Sequence, residues 1–238
     1  MNSRLKILVS VVVATSLVLS ISLLPLFSPA TAASKPGAAR QVQKFTASGK
    51  LAEASWFLED REKLTLTEVY LTLTDLDQEA NPDNPEAFID LIVIQAKLVK
   101  VCEEYAGEGY CYYEYLPAMT FYGYAELEDS DFKISNNVRT ASIAGLEVPG
   151  IDYFSGKEKT VIVDATWKAD GALTKIKQSI AESDDGYKLT YKLSGLGRDA
   201  IANLQIGGDI KLTLGQSPNS DASILKAKEG YMIREVKA

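Results

Sequence analysis

Apolar and polar residues alternate with a period of two along most of this chain. That single feature restricts what the chain can fold into. In Thr160–Trp167, Val161, Val163, Ala165 and Trp167 share one parity. Tyr187, Leu189, Tyr191 and Leu193 alternate with Lys188, Thr190, Lys192 and Ser194, and Ile210, Leu212 and Leu214 with Lys211 and Thr213. Successive side chains of a strand point to opposite faces, so each run predicts a strand with one buried and one wet face. Ile89–Val101 is apolar on both faces in its middle and reads as a central strand. In Leu64–Thr74 the phase changes, since Leu64 and Leu66 share one parity and Val69, Leu71 and Leu73 the other. A β-bulge near Glu68 would keep all five on the core side.

Turn signals separate the runs. Ser135-Asn136-Asn137, Asp184-Asp185-Gly186 and Gly207-Gly208-Asp209 suit tight hairpins, and Ser155-Gly156-Lys157 a longer one. No segment of ten or more residues carries a helical stripe. The expectation is an all-β fold, an antiparallel β-sandwich, with a barrel or two small tandem sandwiches as alternatives. No Pro/Gly/Ser-rich linker interrupts residues 45–238, which favours one domain there.

The N-terminus reads as a targeting device. Arg4 and Lys6 precede an apolar run from Ile7 to Phe27, and Ala30-Thr31-Ala32 fits a small-x-small cleavage site. Residues 1–32 are expected to be a secretory signal peptide; the alternative is an uncleaved anchor. Residues 33–44 read as a flexible tether. The expected location is outside the cell or at its surface, with no membrane contact after cleavage. Export permits disulfides, and the two cysteines, Cys102 and Cys111, are expected to pair as a staple across neighbouring strands.

Composition removes several functions. The 238 residues include no histidine, so Ser-His-Asp and Cys-His catalysis and His-ligated metals are excluded. Two cysteines are too few for a Cys-only zinc site. A net charge of -7 argues against a nucleic-acid partner. Neither Gly-x-x-x-x-Gly-Lys nor Gly-x-Gly-x-x-Gly occurs in the chain. No catalytic residues are assigned and no enzymatic activity is expected. A glycosidase needs only two placed carboxylates and stays open as an alternative.

Three constellations carry chemistry. Asp75, Asp77, Glu79, Asp83 and Glu86 fall at positions 1, 3, 5, 9 and 12 of a twelve-residue stretch, the oxygen spacing of a calcium loop. Ala80 stands where that loop needs Gly, Pro82 and Pro85 stiffen its second half, and strands flank it. It is therefore a non-helical calcium loop or an acidic, solvated connection, and calcium is the one cofactor the sequence suggests. A second acidic group, Glu126, Glu128, Asp129 and Asp131, could share a metal with it if the two met. Seven tyrosines crowd Tyr105–Tyr124. Flat amphipathic rings stack on sugars, and Tyr110, Tyr112, Tyr122 and Tyr124 are the candidate ligand surface, with a polysaccharide as the candidate partner.

The cadence Ala54-Ser55-Trp56, Asp131-Phe132-Lys133-Ile134 and Asp164-Ala165-Thr166-Trp167 with Gly171 resembles secreted bacterial β-rich proteins of unknown function. The resemblance implies an exported β-fold and brings no activity. The expected function is a non-catalytic exported β-domain that binds a ligand or serves structurally at the cell surface, alternatively a calcium-stabilised module or a carbohydrate-binding module.

Overall fold

The computed structural model describes residues 42–77, 87–105, 108–184 and 187–235. These belong to one compact unit, residues 40–238. The expected signal segment 1–32 and residues 33–41 of the expected tether lie outside the described residues.

Among the described residues the alternating runs form eleven antiparallel strands in one sheet, the all-β class expected. They are β1 (Val42–Asp60), β2 (Thr65–Leu76), β3 (Ala87–Tyr105), β4 (Glu108–Leu127), β5 (Phe132–Ile134) and β6 (Thr140–Asp152), then β7 (Lys157–Ala169), β8 (Thr174–Asp184), β9 (Tyr187–Gly208), β10 (Leu212–Leu214) and β11 (Ser220–Glu235). The described residues contain no helix. Of the turn clusters, Ser135–Asn137 falls between β5 and β6, Ser155–Lys157 runs into the first residue of β7, and Gly207–Asp209 spans the end of β9, whereas residues 185–186 of the expected Asp184-Asp185-Gly186 turn lie outside the described residues. Gly156 and Gly208 adopt φ of 67° and 83°, which a side chain would resist.

The ladders close on themselves. β1 pairs with β2, β2 with β3, β3 with β4, β4 with β6, β6 with β7, β7 with β9, β9 with β11, and β11 with β1. With β5, β8 and β10 set aside, each strand of the ring neighbours the next in chain order, so the ring is a meander, the barrel form of the expected architecture. The short β5 and β10 and the longer β8 continue the lines of β4, β11 and β7 along β6 and β9.

Inside the ring the alternation does what the sequence implies. Ala52, Ala54 and Trp56 of β1 meet Val69, Leu71 and Leu73 of β2, Ile89, Leu91 and Val93 of β3, and Val161, Val163 and Trp167 of β7 in one core. Both indoles are satisfied there. Trp167 Nε1 donates to the Glu53 carbonyl across the core at 3.0 Å, and Trp56 Nε1 donates to the Gly215 carbonyl at 3.1 Å.

The bulge expected near Glu68 is absent. β2 and β3 pair without interruption from Thr65↔Lys97 to Asp75↔Ala87. Leu64 instead occupies a turn at φ 53° with its side chain exposed. Leu66 keeps the outward phase. One irregularity lies in β4, where Gln95↔Met119 is followed by Ala96↔Pro117, leaving Ala118 extra, and another lies in β6 between Ile143 and Leu146. Pro117 has no N–H to give the ladder, so the slip falls where a bond is missing in any case.

Asp152 is buried at the β4–β6 joint, where it opposes Phe121. Burial pushes its pKa up, but the Ser155 hydroxyl (2.7 Å), the N–H groups of Thr120 (3.1 Å) and Phe154 (3.2 Å), and the Lys159 ammonium (3.5 Å) outweigh it and hold the carboxyl at about 2. A depressed folded-state pKa stabilises above the unfolded value of 3.8, and that stability is lost as pH falls toward about 2. Asp152→Ala is expected to cost about 1–3 kcal/mol at neutral pH, because it strands buried N–H donors. It should also flatten the loss of stability between those two pH values. Denaturant melts of both proteins across that window check it.

Candidate functional site

The ring turns one parity of each strand outward, and on β1–β4 this outer parity is aromatic. Cross-strand neighbours on one face stand about 4.8 Å apart, so a row across several strands makes a continuous surface. One row reads Ser55↔Tyr70↔Ile92↔Tyr122 and continues to Ile151 of β6. The next reads Glu53↔Thr72↔Asp90↔Tyr124. On the other side, Phe57↔Glu68↔Ile94↔Thr120 completes the patch. Tyr70, Tyr122 and Tyr124 are 44%, 36% and 37% exposed, and Phe57 is exposed beside them.

Polar groups hold these rings. The Tyr122 hydroxyl donates to Asp90 Oδ1 at 2.8 Å, and the Tyr70 hydroxyl donates to Glu68 at 3.2 Å. The Tyr124 ring lies 5.9 Å from that of Phe88, tilted by 31°. Burial raises the pKa of Asp90, and the Tyr122 hydrogen bond only partly offsets it. Burial likewise raises Glu53, against the Ser223 hydroxyl at 2.8 Å. The Tyr122 phenol is pushed well above its ordinary value, first by desolvation and then by Asp90. It therefore stays a neutral donor at every physiological pH.

The four tyrosines expected to form one surface divide into two. The extra Ala118 shifts the phase of β4, whereas β3 runs straight. Tyr122 bonds Asp90, while Tyr110 and Tyr112 both bond Glu103, at 2.6 and 3.0 Å. Asp90 and Glu103 are thirteen positions apart on β3, hence on opposite faces. Tyr110 and Tyr112 stack on each other with centroids 6.0 Å apart. They sit on the ribbon that β3 and β4 form beyond the ring, where Cys102 faces Cys111 with Cα atoms 4.1 Å apart and the sulfurs at bonding distance. That is the staple between neighbouring strands. Tyr70, Phe57 and Asp90 belong to the patch although they precede the tyrosine-rich stretch. Only their phase in β1, β2 and β3 could have signalled it.

Of the calcium-loop residues, Glu79, Asp83 and Glu86 lie outside the described residues. Asp75 accepts from Lys50 Nζ at 2.7 Å, and Asp77 from the Ser48 hydroxyl. A cation on Asp75 would have to displace that ammonium. The row Asp75↔Ala87↔Leu127 brings the start of this loop to the same end of the ring as Glu126, Glu128, Asp129 and Asp131. Asp131 there accepts from the Glu128 N–H at 2.9 Å and closes its own turn. Among the described residues no three Asp, Glu or Cys group as a metal-ligand set.

No protein-family model, no curated protein and no solved structure matches the chain.

Proposed function

We propose that this is an exported, non-catalytic binding domain whose outer β2–β3–β4 face holds a polysaccharide. The observation that carries the reading is the row Tyr70↔Ile92↔Tyr122 with Tyr124 alongside, exposed on one face and braced by Asp90. Aromatic rings present the apolar faces of sugars with a flat partner, and the phenol and carboxylate beside them match sugar hydroxyls. The rings are fixed by ladders on a closed sheet, so little conformational freedom is lost on binding. Binding is favoured over hydrolysis because a hydrolytic pair needs environments that push two carboxyl pKa values apart. Glu53 and Asp90, the two carboxyls of the adjoining row Glu53↔Thr72↔Asp90↔Tyr124, are pushed the same way.

Both tryptophans are buried, so fluorescence would report little. Retardation in native gels containing neutral polysaccharides, followed by calorimetry with the polymer that retards, is the direct test. Tyr122→Ala with Tyr124→Ala is expected to weaken binding by about tenfold or more, from about 0.5–1.5 kcal/mol per ring plus lost contact area. Tyr122→Phe keeps the ring and should lose much less. Unchanged affinity in the double variant, or polymer cleavage that one carboxylate substitution abolishes, would overturn the reading.

A further inference from the structure

Beyond the ring, at the end where β2 stops, β8, β9, β11 and β1 run on side by side as a four-stranded extension. Its register is unbroken, with β8 on β9 from Thr174↔Gly197 to Asp184↔Tyr187, β9 on β11 from Tyr187↔Glu235 to Asp199↔Ser223, and β11 on β1 as far as Val42↔Arg234. Because no residue is inserted, the phase that points Ala202, Leu204, Ile206 and Ile224 into the core carries straight into the extension. There the residues in that phase change character. One row reads Lys175↔Leu196↔Lys226↔Lys50, the next Lys177↔Ser194↔Lys228↔Ser48, and the next Ser179↔Lys192↔Gly230↔Thr46, with Lys188 further out.

Lys175, Lys177, Lys188, Lys192, Lys226 and Lys228 are all exposed. None has an ion-pair partner among the described residues; Lys50, at the β2 border, is the member of this face that does, with Asp75. The acidic residues of the extension, Glu182, Asp184, Glu229 and Glu235, fall at the opposite phase by register. A chain of net charge -7 therefore gathers on one face cations that have no ion-pair partner among the described residues. Self-repulsion disfavours such a cluster unless a partner neutralises it.

We infer that this face binds a linear acidic polysaccharide. Lysines on β8 and β11 are two strands apart, about 10 Å, and successive lysines along each strand about 7 Å. The lattice is sparse, and Ser179, Thr190 and Ser194 stand between the charges. Spaced ammonium groups interleaved with hydroxyls match a polymer that carries spaced carboxylates or sulfates among hydroxyls. Single-stranded nucleic acid calls for stacking rings between the cations, and this face has none. Duplex DNA, with one charge per roughly 1.7 Å, would extend its phosphates over the acidic remainder of the protein.

The test is retention of the purified protein on immobilised heparin and on immobilised polygalacturonate, with a salt gradient. Duplex DNA and vesicles of phosphatidylcholine and phosphatidylglycerol serve as competing probes. Wild type should be retained at low salt and elute as salt rises, because the contact is electrostatic. Lys192→Glu with Lys226→Glu and Lys228→Glu should cut affinity by at least about tenfold. Lys97→Glu with Lys133→Glu and Lys157→Glu makes the same change in net charge on exposed lysines elsewhere, and should cost far less. Circular dichroism melts of both triple variants confirm folding, and Lys→Gln at the same three positions replaces the first set if it does not fold. Tyr122→Ala with Tyr124→Ala should leave retention unchanged, which separates this face from the aromatic one. Equal losses in the two lysine sets, no retention at all, or binding to DNA or vesicles in preference to both polysaccharides would overturn the inference.

Discussion

Trp167→Ala should lower stability by about 3–5 kcal/mol, the cost of emptying a large aromatic site in a packed core. Trp167 is 1% exposed and sits among Ala52, Val69 and Leu204 in the interior cluster. Its indole N–H reaches the Glu53 carbonyl at 3.0 Å, so the side chain spans the ring from β7 to β1. These strands are separated by β9 and β11 in the ladder order, and the contact ties non-adjacent strands together. Trp167→Phe fills most of the volume and loses the hydrogen bond, so it separates the two contributions. A net bond is worth about 0.5–1.5 kcal/mol, and the phenylalanine variant should recover most of the alanine loss. Urea melts of the three proteins give both differences. A loss below about 1 kcal/mol for the alanine variant would mean the core collapses around the gap.

Gly150→Ala is expected to be nearly as damaging, through crowding instead of a cavity. A Cβ on Gly150 would stand 2.3 Å from the Tyr122 carbonyl oxygen and 2.6 Å from the Phe121 ring. The oxygen belongs to backbone and cannot rotate aside. β4 and β6 share only three ladder pairs, Phe121↔Asp152, Tyr122↔Ile151 and Gly123↔Gly150, and this is where the ring closes on that side. Overpacking costs about 1–3 kcal/mol and occasionally more. Here the strain also pushes on Tyr122, so the variant should lose polysaccharide affinity together with stability. Gly145→Ala, at φ 63° with open space around it, tests strain of another kind: it should lower the melting temperature and leave the Tyr122 face unaffected.

Much of the fold was legible because period-two alternation is a local property. The run Val161, Val163, Ala165 and Trp167 points into the core as its spacing requires, and the asparagine-bearing turn Ser135–Asn137 lies between β5 and β6. The Cys102–Cys111 pairing was legible too, since two cysteines so close on neighbouring strands meet if the intervening hairpin is tight. The misplaced bulge shows the limit. The phase change at Leu64–Leu66 looked like a device for keeping leucines inside, but the chain simply leaves Leu64 in a turn. The actual slip, at Ala118, has no periodic signature because the tyrosines around it occupy both parities.

By itself, then, the sequence determined which residues of each strand share a face, where the chain turns, and which chemistries are missing for want of histidine. Only the tertiary structure decided which faces are neighbours. Ladder pairing, with the slip at Ala118, sets Tyr70 beside Ile92 and Tyr122 and parts Tyr122 from Tyr110. It also collects lysines from three strands on one sheet face of an acidic protein. The reason is that strand phase follows from residues two apart, whereas register joins residues tens of positions apart. Register is fixed by the sum of ladder bonds and core packing around the whole ring, which no local stretch of sequence contains.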